Sequence, residues 1–326
     1  MIVVQTPLRV SFLGGGTDFE DFYLDYGGAV LSTAINKCVY VIVMERFDDM
    51  IYVNYSQKEI VEHVEQLNHE LVREAMKKTG VSKGVEITTL ADIPSEGTGL
   101  GSSSAITVGL LQSLYAYQGH NVNTKELAEQ ACQIEIDILG KPIGRQDQYI
   151  AAFGNMQYIT FSNNGVEVER ILIPSEAKRK LNRSFLVFYT GKTRKDAEIL
   201  SEQKRNISNN VAILLEMKKL AQKGRRAVLD GAFDELGLLL HRSWQLKKEL
   251  ASKVTNAEID EVYQTALKAG AIGGKITGAG GGGFLLLYCT NGKQDDVRAA
   301  LHGLRELPFR FQPDGSKVIF NYGRGE

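Results

Sequence analysis

Between Pro94 and Ala105 the chain reads Pro94-Ser95-Glu96-Gly97-Thr98-Gly99-Leu100-Gly101-Ser102-Ser103-Ser104-Ala105, alternating glycines that run straight into a helical pattern. Glycines let a backbone close on a ligand and turn its N–H groups inward, while a helix start adds unpaired donors and the positive end of a dipole. Such a loop binds phosphate, and its serine hydroxyls are hard oxygen ligands that can reach a magnesium ion. The same residues also suit a tight turn with serine caps, and the loop alone does not choose between the two. Two other nucleotide loops fail on context. Gly191-Lys192-Thr193 ends like a P-loop, but Leu186 stands where that pattern needs its first glycine. Gly278, Gly280 and Gly283 have the spacing of a dinucleotide fingerprint, yet they lead into the strand-like run Phe284 to Cys289 instead of a helix.

The elements that would hold these loops fall into two groups. Val3 to Phe12, Ala29 to Ile35, Val39 to Arg46, Ile51 to Tyr55, Gly84 to Thr89 and Met156 to Phe161 read as strands. One helix runs from Ser102 towards Tyr117. A second is opened by Asn123 with Glu126 three positions on, and Leu127, Ala131, Ile134 and Ile138 give it an apolar stripe. After a strand near Ser184 to Tyr189, the stretch from Lys195 to Lys268 reads as consecutive helices, broken near Gly224 and Gly231 and ended at Gly270. Phe284 to Cys289 and Val318 to Tyr322 are expected as closing strands. With 326 residues and 43% hydrophobic content the chain can bury two cores, expected to pack on each other because no long linker separates them. The 38 basic and 39 acidic residues cancel, so no overall field favours nucleic acid or an anionic membrane. Three scattered cysteines suit a reducing compartment, and no apolar run nears the roughly 20 residues needed to cross a bilayer. The N-terminus reads as a first strand and not as a secretory leader, and the protein is expected in the cytoplasm.

Three separated stretches, in order, resemble the GHMP kinase superfamily. Pro7-Leu8-Arg9-Val10-Ser11-Phe12-Leu13-Gly14-Gly15-Gly16-Thr17-Asp18-Phe19 is similar to its N-terminal substrate motif, and the Gly97 to Ala105 loop to its phosphate loop. Lys275-Ile276-Thr277-Gly278-Ala279-Gly280-Gly281-Gly282-Gly283 is similar to its C-terminal glycine motif. The resemblance implies an α+β fold of two lobes, one like the second domain of ribosomal protein S5 over 1–173 and one ferredoxin-like over 174–326, with the site between them. It implies ATP as donor, bound by Gly97, Gly99, Leu100, Gly101, Ser102, Ser103 and Ser104. Phosphoryl transfer also needs a metal and a group for the acceptor's proton. In the stretch from Glu135 to Gln148 the two carboxylates Glu135 and Asp147 match the spacing of galactokinase-like members. The resemblance gives Mg2+ to Ser103 and Glu135, the proton to Asp147, and a place beside the transferred group to Arg9. On residue type alone each has a plainer alternative: Arg9 a salt bridge, Glu135 an edge carboxylate on a helix, Asp147 a turn residue or cap.

The acceptor is expected to be bound by Gly15, Gly16, Thr17 and Asp18, and by Gly280 and Gly281 of the C-terminal glycine motif. Galactokinases carry Gly-Glu-His-Thr-Asp where this chain has Gly14-Gly15-Gly16-Thr17-Asp18, so the two side chains that grip the far end of galactose are missing. Two glycines leave room and remove a negative charge, as a longer sugar ending in phosphate requires. This form resembles the heptose 7-phosphate kinases, which implies transfer to the anomeric C1 hydroxyl of D-glycero-D-manno-heptose 7-phosphate. A kinase of L-fucose or galactose and a non-catalytic sugar sensor on the same fold are the alternatives. The sensor predicts loss of Ser103, Glu135 or Asp147, and all three are present. A sugar phosphate needs a cationic seat, for which Lys192 and Arg194 after the strand ending at Tyr189 are the candidates; solvated surface is the plainer reading. Lys275 is a weaker candidate for that seat, and by default it reads as a surface lysine at a strand end.

Overall fold

The computed structural model describes residues 1–94, 97–191 and 196–322. From β1 (Ile2–Leu13) the chain passes through helix α1 (Glu20–Tyr26) to β2 (Gly28–Glu45), then β3 (Ile51–Asn54), β4 (Lys58–Val61), α2 (Glu70–Thr79) and β5 (Val85–Ala91). Helices α3 (Ser102–Tyr117), α4 (Thr124–Cys132) and α5 (Gln146–Phe153) precede the hairpin β6 (Met156–Ser162) and β7 (Gly165–Arg170). There follow α6 (Ser175–Arg183), β8 (Phe185–Tyr189), α7 (Asp196–Arg205), α8 (Val211–Leu229), α9 (Phe233–Lys248) and α10 (Ala257–Lys268). The chain closes with β9 (Ala271–Ile276), β10 (Phe284–Cys289), α11 (Gln294–Ala300), β11 (Arg305–Glu306) and β12 (Lys317–Asn321).

The strands form two sheets, an α+β architecture. The eight-stranded sheet runs β12-β1-β2-β5-β3-β4, with β6 on β2 and β7 on β6; only β3 and β5 pair in parallel. The four-stranded sheet, β11-β8-β10-β9, is antiparallel. The expected lobe boundary before Pro174 falls in the loop between β7 and α6, but β12 crosses it and hydrogen-bonds to β1 in the first sheet. The lobes share one core. Phe12 on β1 stacks on Phe185 of β8 at 5.0 Å, and Phe311 packs edge-on against both rings. A second apolar cluster around Trp244, Tyr263, Ile276 and Leu287 lies within the second lobe.

Three local expectations change. Ala29 to Ile35 and Val39 to Arg46 are one strand, because Asn36 and Lys37 bulge out of β2 where it passes Pro7 and Leu8. Asn36 is fixed there by backbone and side-chain bonds to Arg310. Gly224 does not break a helix but lies inside α8, where a Cβ would sit 2.3 Å from Leu13 Cδ1, so α8 packs directly on the sheet; the break comes at Gly231, with φ +73°. Asn123 caps α4 as expected, accepting from Glu126 N–H at 2.9 Å. Past Cys132, however, that helix widens into a π-turn, Gln133–Ile138, which rotates later side chains off the stripe. Ile138 is therefore 55% exposed, and Glu135 is wholly buried.

Candidate active site

A cleft of about 440 Å3 opens between the two sheets, and residues of β1, the loop before α3, α5, α9 and β9 line it. Arg9 leaves β1 with its side chain 7% exposed and meets Asp147, in the first turn of α5, through two contacts: Nε to Oδ1 at 2.7 Å and Nη2 to Oδ2 at 2.5 Å. Its third donor, Nη1, bonds the Gly99 carbonyl at 2.6 Å, and its backbone N–H bonds Leu100 O at 3.0 Å. One residue thus clamps the first strand, the glycine loop and α5 together, using the rigid fork of donors that only a guanidinium offers. The loop can approach because Gly101 has φ +79° and no side chain. A Cβ there would lie 3.1 Å from Arg9 Cγ and 3.4 Å from Asp147 Oδ2.

Behind the loop the π-turn delivers Glu135. Its Oε1 accepts from Ser103 Oγ at 2.5 Å and its Oε2 from Gln148 Nε2 at 2.8 Å. Lys141 Nζ lies 3.1 Å from Ser103 Oγ, 3.7 Å from Glu135 and 3.1 Å from Glu70. A hydroxyl and a carboxylate oxygen side by side, next to a phosphate-type loop, are a donor set that fits Mg2+, which takes few protein oxygens and completes its shell with phosphates and water.

At the other end Asp18 is 2% exposed. Its carboxylate accepts from Gly16 N–H at 2.9 Å and from the Gln146 backbone and side-chain amides at 3.2 and 3.0 Å. Burial, and then the charge of Asp147, push its pKa up against these bonds. A Cβ on Gly144 would fall 2.0 Å from Asp18 Oδ2, so that turn needs glycine. The bare face of Gly15 opens towards Gln146 Nε2 and Ser11 Oγ, which would lie 3.6 and 3.7 Å from a Cβ there. Ser11 Oγ and Gln146 Oε1 are buried with no hydrogen-bond partner among the described residues. Such atoms beside a cleft are ready for ligand hydroxyls. Lys275 and Lys247 add two ammonium groups, 2% and 5% exposed; Lys247 bonds the Gly278 carbonyl.

Of the residues expected from sequence, Arg9, Gly15, Gly16, Asp18, Gly99, Gly101, Ser102, Ser103, Ser104 and Asp147 line the cleft, and Glu135 stands directly behind Ser103. Leu100 is core. Thr17 is wholly buried: its hydroxyl bonds Gly14 O and accepts from Ala29 N–H, so it staples the loop from beneath. Gly97 bounds the loop without lining the cleft; a Cβ on Gly283 would lie 3.0 Å from its carbonyl oxygen. Gly280 and Gly281 pack against Val254, while Gly278 and Ala279 of the same run face the cleft. Lys192 and Arg194 lie outside the described residues. Lys275, read as surface, is instead buried. Sequence reasoning gave no role to Ser11, Lys141, Gln146, Gln148 or Lys247; Gln146 and Gln148, flanking Asp147, were the visible hint.

The description GHMP kinases N terminal domain matches residues 53–155, which hold the loop, Glu135 and Asp147, and GHMP kinases C terminal matches 220–304. A Campylobacter jejuni protein named D-glycero-alpha-D-manno-heptose 7-phosphate kinase is 30% identical over 318 residues, covering 92% of this chain and 93% of its own. This chain belongs to the GHMP kinase family. The GHMP kinase described here is an ATP-dependent sugar kinase, and its likeness extends to other members. A galactokinase of Thermotoga maritima is 26% identical, covering 91% of this chain and 92% of its own. The crystal structure of a D-glycero-D-manno-heptose 1-phosphate kinase from Bacteroides thetaiotaomicron superposes with a TM-score of 0.83 at 25% identity, over 99% of this GHMP kinase and 100% of that chain. No helix among its described residues is long and apolar enough to cross a membrane.

Proposed function

We propose that this GHMP kinase transfers the γ-phosphoryl group of ATP to the anomeric C1 hydroxyl of D-glycero-D-manno-heptose 7-phosphate, giving the 1,7-bisphosphate. The observation that carries the reading is the Arg9–Asp147 pair, which lies between the phosphate loop and the open floor at Gly15 and Gly16. The ATP phosphates lie against the Thr98 to Ser104 backbone and the start of α3, where N–H groups and the helix dipole converge. Ser103 and Glu135 hold Mg2+, which when bound neutralises charge on the phosphates. Asp147 accepts the C1 hydroxyl proton as that oxygen bonds to phosphorus and ADP leaves, and Arg9 fixes Asp147 and stabilises the developing charge. Asp18, with Ser11 and Gln146, holds the sugar hydroxyls. The glycines at 15 and 16 leave space for the extended heptose, and Lys192 and Arg194 seat its 7-phosphate.

The test is magnesium-dependent ADP release from ATP with D-glycero-D-manno-heptose 7-phosphate, the unphosphorylated heptose, mannose, galactose and L-fucose. Heptose 7-phosphate is expected to give the highest kcat/KM. In the same assay Arg194→Ala should raise its KM at least about 10-fold and leave that of ATP unchanged, as loss of a charge-assisted phosphate contact requires. Preference for an unphosphorylated sugar would overturn the acceptor reading, and equal effects on both substrates would overturn the phosphate seat.

A further inference from the structure

Lys275 carries a charge that the reading above leaves unused. It lies near the end of β9, lines the cleft and is 2% exposed. The one hydrogen bond that the described residues give its ammonium is a long one, 3.3 Å to the Phe12 carbonyl on β1. A buried ammonium must be paid for by partners, and a residue that only had to fill this space would be Leu or Met. The charges around it do not compensate. Arg9 is a like charge, and its guanidinium is already engaged by Asp147. Asp18 is satisfied by Gly16 and Gln146, and it forms no ion pair with Lys275 among the described residues. Lys247, from α9, adds a further cation to the same cleft. Burial and then Arg9 push the Lys275 pKa down to about 8, with Asp18 opposing. The Lys275 ammonium is therefore left without an ion-pair partner among the described residues, beside Arg9 and the acceptor floor.

We propose that Lys275 is a catalytic residue whose ammonium contacts the phosphoryl group in transfer and forms with Arg9 a two-cation cradle for it. It gives up no proton: as the bond to ADP breaks and the bond to the acceptor oxygen forms, the proton goes to Asp147, while Lys275 donates hydrogen bonds to the phosphoryl oxygens. The inference rests on the kinase reading but not on the identity of the sugar. The arriving anion supplies the partner that the described residues do not, so the desolvation cost is offset only when substrate is present.

The experiment uses Lys275→Met, of similar length and uncharged, with Lys275→Arg as a second variant that keeps the charge. With the best acceptor of the sugar panel, Lys275→Met should lose about 100-fold in kcat, the scale of removing one preorganised donor from developing charge, with the KM for ATP little changed. Wild-type kcat/KM should fall as pH rises through about 8, where free Lys275 loses its proton, and that limb should be absent in Lys275→Met. A readout free of any acceptor is calorimetry with MgADP plus aluminium fluoride, a mimic of the phosphoryl group in flight. Lys275→Met should bind that combination at least about 10-fold more weakly and MgADP alone unchanged, with Lys275→Arg between the two proteins. Unchanged aluminium fluoride binding, an equal loss for MgADP alone, or a loss confined to the KM for the sugar overturns the proposal. If another sugar is preferred, the heptose reading falls and Lys275 is judged on that sugar. If no sugar turns over, the aluminium fluoride measurement decides.

Discussion

Asp18, proposed to hold the sugar hydroxyls, works against the fold that holds it. Burial and the nearby charge of Asp147 raise its pKa above the ordinary 3.8, so the folded state holds this proton more tightly than the unfolded chain does. The sign follows: ionising Asp18 is a cost that is absent below the unfolded value and grows as pH rises through the folded one. Asp18→Asn removes that cost. The melting temperature of the variant minus that of the wild type should therefore become more positive between about pH 4 and pH 7, while kcat/KM for the sugar falls at least about 10-fold through loss of an anionic acceptor. A difference flat across that range would show that Asp18 carries no such penalty. That Arg9, Asp18, Ser103, Glu135 and Asp147 come together was expected from the resemblance of their motifs and not from residue type alone. The burial of Lys275 was not, because a lysine in a short strand reads the same whether its face meets water or another lobe.

At the level of elements, the position of α9 depends on two glycines that no periodicity marks. A Cβ on Gly273 of β9 would lie 2.1 Å from the carbonyl oxygen of Gly237 in α9, and a Cβ on Gly237 would lie 2.5 Å from the ring of Tyr288. Helix and strand approach backbone to backbone, and this brings Lys247 of α9 and Lys275 of β9 to the same cleft. Gly273→Ala should destabilise the protein by about 1–3 kcal/mol, the usual range for overpacking, because the obstructing atom is backbone and cannot swing aside. Chemical denaturation would measure this, and a neutral result would mean that α9 is free to slide. The π-turn after α4 is another element-scale device: it ends the apolar stripe at Ile134 and turns Glu135 inward towards Ser103. A stripe drawn at 3.6 residues per turn has no means of showing it.

For the whole molecule the decisive feature is the return of the chain. β12 pairs with β1, Ser316 Oγ bonds Thr6 Oγ1 at 2.8 Å, and Tyr322 N–H bonds the Met1 carbonyl, so residues more than 300 positions apart complete the strand that carries Arg9. Ending the chain after Gly315 should lower stability by about 2–6 kcal/mol, from about four ladder bonds at roughly 0.5–1.5 kcal/mol each, and leave β1 as an open edge prone to association. Unfolding in urea and light scattering of the shortened chain would check both effects, and an unchanged midpoint would mean that β12 is only an appendage. The sequence by itself determined the glycine loop that runs into α3, the extents of α3 and β10 and the helical second half, because local backbone preference and hydrophobic period fix such features over a few residues; the three motifs were legible only as a family resemblance. Only the tertiary structure decided that β2 is one bent strand, that β12 joins the first sheet, that Gly280 and Gly281 face Val254 and not the cleft, and that Lys275 is buried. Each of these depends on which distant surface packs against the residue, and that information is spread over the whole chain.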